Sequence, residues 1–371
     1  MTNNPFPVGL GVIGCGSVFG AYMTPAEELA RRGLASIVAA CGRPHQRDEA
    51  VGKWKVPKFV SDERELLRMP EIDLVVILTS MESHGRLVRA ALDAGKHVLV
   101  EKPLATTLEE ARELAALARS SRGKLFCAPF TTLSPTYREI GRRLRRGEIG
   151  RVVSARGRYG WAGPWWNRWF YRKGGGVLFD LAVYNVTSLT GWLGPVRRVQ
   201  AMAGVAIPER EVNGERIRVE AEDNAHIVLD FGGSSFALVT AGFTIQQYRG
   251  PAIELYGTEG ALQMLGDDWD PDGFELWRED AGAWEIFKET APDWPWTDGL
   301  RHAVECIRNG ARPLVRPEHA LHVLEVLIEA KEAARDGRAR PIESSFEPLE
   351  FAEVGPSGPA HLIHDRTRKE E

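Results

Sequence analysis

Short apolar runs recur through the first third of the chain, at Val8–Ile13, Ile37–Cys41, Leu74–Leu78, Val98–Val100 and Leu125–Phe130. Continuous rather than alternating hydrophobicity predicts strands buried on both faces. Helix-period segments such as Ser83–Ala94 and Leu108–Arg119 fall between most of them. Strands alternating with helices predict a parallel, doubly wound sheet. From Arg151 onward the pattern changes to hairpins. Asn224–Phe231 and Ser234–Thr240 flank Gly232-Gly233, a two-residue turn, and Phe274–Arg278 and Trp284–Lys288 surround a glycine-containing loop. Strands after a βα region predict a separate α+β domain. Two helices are expected to close it, one ending near Gly310 with Leu300, Ala303, Val304 and Ile307 on one face, and one from Pro317 to about Gly337. His302 lies off that face, and a place toward the pocket is the lesser of its two readings. No internal repeat interrupts this order.

A length of 371 residues exceeds one ordinary core and implies two domains. Hydrophobic residues make up 43% and charged residues 26%, the balance of a soluble globular protein. A net charge of −4 offers nucleic acid or an anionic membrane no electrostatic attraction. The Arg142, Arg143, Arg145 and Arg146 cluster is expected to be a solvated helix face. The thiols of Cys15, Cys41, Cys127 and Cys306 are too scattered for a metal knuckle or redox pair, which predicts no metal and a reducing compartment. Met1–Pro5 has neither a basic region nor an apolar run, and no stretch reaches the ~20 apolar residues of a membrane span, so a cytoplasmic location is expected.

The first strand runs into Gly14-Cys15-Gly16-Ser17-Val18-Phe19-Gly20. Gly14 suits a tight turn, and Gly16 lets main chain approach a pyrophosphate at a helix N-terminus. The third glycine is one place late, with Phe19 where the fingerprint has glycine. Gly14, Gly16, Ser17, Val18 and Phe19 are therefore candidate cofactor contacts. The helix that follows is expected to be short, with a second starting at the capping box Thr24-Pro25-Ala26-Glu27 and running to Gly33. The second strand ends in Cys41-Gly42-Arg43, with His45 and Arg47 close behind and no carboxylate to hold ribose hydroxyls. Gly42 and Arg43 thus predict NADP(H) in preference to NAD(H), which stays possible. The alternative is that Arg43 is a solvated loop residue.

The segment Gly174-Gly175-Gly176 through Asp180 to Tyr184 puts a carboxylate and a phenol one helical turn apart. By itself this also describes a capped helix with a core tyrosine. Upstream, residues 161–173 hold four of the chain's 11 tryptophans. Trp165 and Trp166 offer flat faces to a sugar or nicotinamide ring, and a satellite core or a subunit contact explains them equally well.

Two further segments complete the pattern: Thr79-Ser80-Met81-Glu82-Ser83-His84 and the strand-end tripeptide Glu101-Lys102-Pro103. Together with the glycine turn and the Gly-Gly-Gly…Asp…Tyr segment, they make the chain from Val8 to Ile342 resemble the glucose–fructose oxidoreductase / inositol 2-dehydrogenase (Gfo/Idh/MocA) family. The resemblance implies a pyridine-nucleotide oxidoreductase with an N-terminal Rossmann sheet in residues 1–128. An open, mostly antiparallel sheet domain for substrate and oligomerisation would occupy 129–345, with an irregular tail at 346–371. It implies a homodimer or homotetramer formed through that second sheet. Thr79, Ser80, His84 and Glu101 would join the cofactor site. Lys102 would contact both cofactor and reacting oxygen, and Pro103 would follow a cis peptide. Asp180 would match the substrate-orienting acid. Tyr184 falls where many members carry histidine; the tyrosine resembles the variant found in glucose–fructose oxidoreductase and in some aldose and dihydrodiol dehydrogenases. Thr187 replaces the pattern's second acid.

These residue types suit hydride transfer at a carbinol, which needs a matching proton transfer at its oxygen. A free tyrosine titrates near 10, and a neighbouring ammonium such as Lys102 favours its phenolate. Tyr184 is then the acid/base, Lys102 the stabiliser of the developing alkoxide, and Asp180 the orienter; Lys102 as acid/base with Tyr184 only binding is the alternative. The expected activity is NADP(H)-dependent oxidation or reduction of a sugar, polyol or related cyclic alcohol. Redox-assisted glycoside cleavage with a retained cofactor, and a non-catalytic sugar or nucleotide sensor, are the other readings.

Overall fold

Ten segments of the first unit are apolar and short enough to alternate as strand and helix. In the computed structural model they are β1 (Val8–Ile13), α1 (Phe19–Arg31), β2 (Ala35–Cys41), β3 (Lys58–Val60), α2 (Glu63–Leu67), β4 (Leu74–Ile77), α3 (His84–Asp93), β5 (His97–Val100), α4 (Leu108–Ser120) and β6 (Leu125–Cys127). The structure describes residues 6–351, together with the backbone of the short strand Ile363–His364. The expectations for Met1–Pro5 and for the Gly355–Pro359 tail lie outside the described residues. All six strands are parallel, in the order β3-β2-β1-β4-β5-β6. Every residue of β1 and β4 is buried, as a two-faced sheet requires. The chain reverses its direction of addition between β1 and β4, which opens a crevice at their carboxyl ends. The three-residue β3 is too short for any periodicity to signal.

The expected break in the first helix does not occur. Pro25 lies inside a continuous α1. Proline leaves the carbonyl four residues back without its N–H donor. Here that carbonyl, Ala21 O, accepts instead from the Thr297 hydroxyl at 3.4 Å, and Thr24 bonds back to Gly20 O at 3.2 Å rather than capping a new helix.

The second unit holds α5 (Pro135–Arg145), β7 (Val152–Gly160), α6 (Val183–Leu193), β8 (Arg198–Gly204), β9 (Glu209–Val212), β10 (Glu215–Arg218), β11 (Asn224–Gly232), β12 (Ser235–Gly242), β13 (Ile253–Gly257), β14 (Gly260–Asp267), β15 (Asp270–Arg278) and β16 (Ala283–Lys288). Then come α7 (Gly299–Asn309), α8 (Pro317–Asp336), β17 (Arg340–Pro341) and β18 (Ile363–His364). One sheet runs β17-β8-β11-β12-β7-β13-β14-β15-β16-β18. Only the β7–β12 pair is parallel. The β11–β12 loop is shifted by one from its expected place: Gly232 pairs with Ser235, so Gly233 and Ser234 form the turn with φ of 59° and 60°. Alternation along β8, β11 and β12 buries Val199, Ala201, Ile227, Leu229, Ala237 and Val239. The opposite face leaves Met202, Val228, Phe236 and Leu238 exposed, with Val228 directly across from Leu238.

Compact grouping assigns residues 1–130 and 295–321 to the first unit and the rest to the second. The contiguous division expected at 128/129 therefore differs at α7, whose buried Leu300, Ala303, Val304 and Cys306 serve the first unit, packing with α1, β1 and β5. Ile307 is only partly buried. His302 is occupied by main chain rather than aimed at a pocket: its Nε2 accepts from Leu314 N at 3.0 Å, and its ring meets Phe126 edge-on. The arginine cluster is not a solvated face either. Arg142 and Arg143 are largely buried against Glu139 and Glu148, Arg143 stacks 4.1 Å over Phe287, and Arg145 donates to Leu349 O.

Candidate active site

In the first unit the candidate residues sit at the carboxyl ends of β1, β2, β4 and β5. Gly14 adopts φ 103°, and a Cβ there would lie 2.7 Å from the Leu78 carbonyl carbon. Gly16 is different, since a Cβ on it would meet nothing within 4 Å. The open space lies just before α1, whose first turn has no acidic residue and whose N-cap, Val18, supplies no side-chain acceptor. Uncapped N–H groups beside a bare glycine form a fit cradle for a pyrophosphate. Ser17 is exposed and Val18 partly so. Phe19 is not available for contact: its ring is 0% exposed and its N–H is taken by Gly16 O at 3.1 Å. Arg43 is exposed beyond β2, and its N–H donates to Gln46 Oε1 at 2.9 Å. Gln46, which the sequence reading passed over, reaches across with Nε2 to Cys15 O at 2.7 Å and fixes this loop against the glycine turn. Burial pushes the Cys15 thiol up to about 12 and the Cys41 thiol up to about 11, so both are packing groups.

At the ends of β4 and β5, two residues expected to touch cofactor hydrogen-bond to the chain itself. His84 is 1% exposed; its Nδ1 lies 2.7 Å from Pro103 O and its Nε2 3.0 Å from Thr79 O. Glu101 accepts from the Tyr22 hydroxyl at 2.7 Å through Oε1 and from Lys102 N at 3.1 Å through Oε2. Both therefore fix the backbone on which Lys102 stands. The Lys102–Pro103 peptide is cis, as the resemblance implied. Thr79 Oγ1 accepts from Ser83 Oγ at 2.9 Å and donates to Ser80 O.

In the second unit the glycine run bends the chain into α6. Gly174 and Gly176 have φ of 100° and 97°, and a Cβ on Gly176 would lie 2.6 Å from Glu222 Oε1. Leu178–Ala182 forms a wide π-type turn before α6, where a regular α-helical turn was expected. Such turns re-aim side chains and recur at functional sites. Across residues 177–191, only Phe179, Asp180 and Tyr184 are not fully buried. Tyr184 meets Tyr159 edge-on at 5.7 Å. Burial, then the nearby Tyr184 and Asp180, push the Tyr159 phenol well above its usual range. Beside them Asp268 accepts from Asn185 Nδ2 at 2.9 Å and Ser188 Oγ at 3.2 Å. Burial raises its carboxyl from 3.8 to about 7, against the pull of the Asn185 bond. Tyr159, Asn185 and Asp268 carried no sequence signal beyond the acidic run at the β14–β15 turn. Thr187, at the second-acid position, is buried with no hydrogen-bond partner for its hydroxyl among the described residues.

The tryptophan loop is an aromatic cluster: Trp161 and Trp166 stack at 5.5 Å, Trp165 stands edge-on to Trp166, and Phe170 and Tyr171 pack on Phe243. Trp165 remains 68% exposed. Among the described residues there is no group of His, Cys, Asp or Glu arranged to hold a metal, and no helix is long and apolar enough to cross a membrane.

Family profiles match both units: the NAD-binding Rossmann-fold domain of the GFO/IDH/MocA oxidoreductases over residues 8–128, and a GFO/IDH/MocA C-terminal domain over 137–263. The chain is 25% identical to trans-1,2-dihydrobenzene-1,2-diol dehydrogenase of Bos taurus over 86% of its own length and 96% of that protein. It is 28% identical to scyllo-inositol 2-dehydrogenase (NAD(+)) of Bacillus subtilis (strain 168), over 80% and 84%. Among solved structures, levoglucosan dehydrogenase in complex with NADH and levoglucosan superposes with a TM-score of 0.81 at 21% identity, covering 91% of this chain and 99% of that one. With the parallel Rossmann order, the glycine cradle and both family domains in sequence, this chain belongs to the GFO/IDH/MocA family of NAD-binding oxidoreductases.

Proposed function

We propose that this oxidoreductase interconverts a secondary alcohol and the matching carbonyl of a sugar, polyol or related cyclic alcohol, and that it prefers NADP(H). The observation that carries the reading is the partial exposure of Asp180 and Tyr184 in a segment otherwise almost wholly buried. An acid and a phenol left half-buried at the start of a core helix serve ligand rather than packing. The relatives named as diol and inositol dehydrogenases support the same class. A bound nicotinamide supplies the two-electron chemistry, and Gly14, Gly16, Ser17, Val18 and the N-terminus of α1 would hold its phosphates. Tyr184 Oη takes or returns the carbinol proton, Asp180 orients a hydroxyl, and Lys102 Nζ stabilises negative charge on the reacting oxygen. Arg43, exposed where other sites place a carboxylate, supports the 2′-phosphate.

The test is nicotinamide absorbance with purified enzyme against aldoses, inositols and cyclic diols, with each cofactor. Turnover that falls by at least about a hundredfold in Lys102→Met, with cofactor still bound, is expected. Binding of cofactor without turnover of any alcohol overturns the reading. Arg43→Ala is expected to erase a preference for NADP(H) over NAD(H). We propose further that the protein works in the cytoplasm and self-associates through the exposed face of β8, β11 and β12. The apolar patch of Met202, Val228, Phe236 and Leu238 supports self-association. A Phe236→Glu chain is expected to elute as a smaller species than the parent on calibrated light-scattering chromatography.

A further inference from the structure

A cavity of about 490 Å³ lies within the second unit, one aromatic ring away from Tyr184. Tyr159 forms part of its wall and packs edge-on against Tyr184, while Tyr184 itself does not line the space. Trp161, Tyr248 and Trp269 supply the other aromatic walls. Trp161 is braced from behind by Trp166 and Phe243, and Tyr248 is held by hydrogen bonding to Asp267 Oδ1 with the Arg158 guanidinium 5.5 Å over its ring. These walls are thus fixed before any ligand arrives, which lowers the ordering cost of binding.

The polar groups are sparse and of two kinds. Asp267 spends Oδ1 on Tyr248, and its Oδ2 has no hydrogen bond among the described residues. Gln247 spends Oε1 on Tyr248 N at 3.1 Å, leaving the Nε2 amide as a donor. One acceptor, the Gln247 amide donor and the Trp269 Nε1–H, which has no hydrogen-bond partner among the described residues, stand beside flat apolar faces and match a hydroxylated ring, whose C–H face stacks while its hydroxyls bond sideways. An anionic ligand fits poorly, because the lining contributes a carboxylate and the adjacent Arg158 is engaged with Tyr248 and Arg249 O at 3.2 Å.

We infer that this cavity binds the second, non-reacting ring of a two-ring neutral glycoside, a disaccharide or an aryl glycoside, whose reacting ring lies at Tyr184. The inference rests on the proposed alcohol-oxidising site and assigns substrate recognition to Trp161, Tyr248, Asp267 and Trp269, in place of Trp165 and Trp166. Trp165 projects from the loop, and Trp166 serves as the backing of Trp161.

Titration calorimetry on the full chain with D-glucose, cellobiose, maltose and phenyl β-D-glucopyranoside tests it without requiring turnover. At least one two-ring ligand is expected to bind about tenfold more tightly than D-glucose, the scale of one well-formed stacking contact. In Trp269→Ala and Asp267→Asn that ratio falls toward one. Should Trp269→Ala fail to fold, Gln247→Ala, on an exposed segment, lowers the ratio in its place. The inference is overturned if no two-ring ligand exceeds D-glucose, or if the ratio survives these substitutions. Cofactor-dependent turnover of single-ring alcohols without a two-ring preference sinks this inference alone. A two-ring preference without turnover sinks the proposed reaction and leaves the cavity assignment standing.

Discussion

Replacing Asp268 by asparagine is expected to remove one pH-dependent contribution to stability. The carboxyl is 1% exposed and accepts two hydrogen bonds, from Asn185 and Ser188. Burial keeps its proton on until about pH 7, against 3.8 for the unburied group. Between those values the folded chain holds a proton that the unfolded chain has released. Unfolding is then favoured by rising pH, at ~1.4 kcal/mol per pH unit. The stabilisation is complete below 3.8, declines as pH rises, and is spent above about 7. From about pH 5 to 7 the loss is ~3 kcal/mol, or roughly 6–12 °C in melting temperature for a unit of this size. Asparagine keeps the Oδ1 acceptor for both donors and cannot ionise. Thermal melts of parent and Asp268→Asn, followed by near-UV circular dichroism from about pH 5 to 8, should therefore converge or cross as pH rises. Melting temperatures that differ by a constant across that range would refute the reasoning, because every other titrating group is shared.

Three further outcomes follow from the site. Tyr184→Phe should lower kcat by roughly 10²–10⁴ while cofactor binding, followed by nicotinamide fluorescence, persists; retention of most activity would move the proton-transfer role to Lys102. Gly14→Ala should destabilise the first unit by roughly 1–3 kcal/mol in chemical denaturation, because φ 103° and the Leu78 carbonyl both oppose a Cβ, whereas Gly16→Val should leave stability unchanged and weaken cofactor binding about tenfold. Equal effects of the two would contradict the assignment of Gly16 as the cradle. His84→Ala removes the ring N–H from between Pro103 O and Thr79 O and should cost roughly 1–3 kcal/mol on denaturant unfolding; an unchanged midpoint would show that the ring does not hold the Lys102 backbone.

The signals by which the sequence marks the candidate site are local. A glycine at φ 103° after a buried strand, a lysine–proline pair at a strand end, and an acid four residues before a tyrosine are each properties of a few contiguous residues. What proved illegible was how those residues are supported. Phe19 and His84 were grouped with cofactor contacts because they stand inside the right segments, yet one ring fills the core and the other ties two strand-end carbonyls together. No spacing rule announces that Gln46 will reach Cys15, or that Asp268 will find Asn185 more than eighty residues away.

From the sequence alone came the alternation of strand and helix, the change to hairpins after Arg151 and the positions of Lys102, Asp180 and Tyr184, because hydrophobic period and turn chemistry act over a few bonds. Tertiary structure alone decided that Pro25 stays within α1, that α7 returns to the first unit, and that Arg142 and Arg143 are buried in ion pairs. Each of those outcomes depends on a partner supplied from a distant segment: the Thr297 hydroxyl, the faces of α1 and β5, the Phe287 ring under the Arg143 guanidinium. Desolvation makes such partners decisive, since a buried carbonyl or charge is costly until something reaches it, and only the folded chain determines what does.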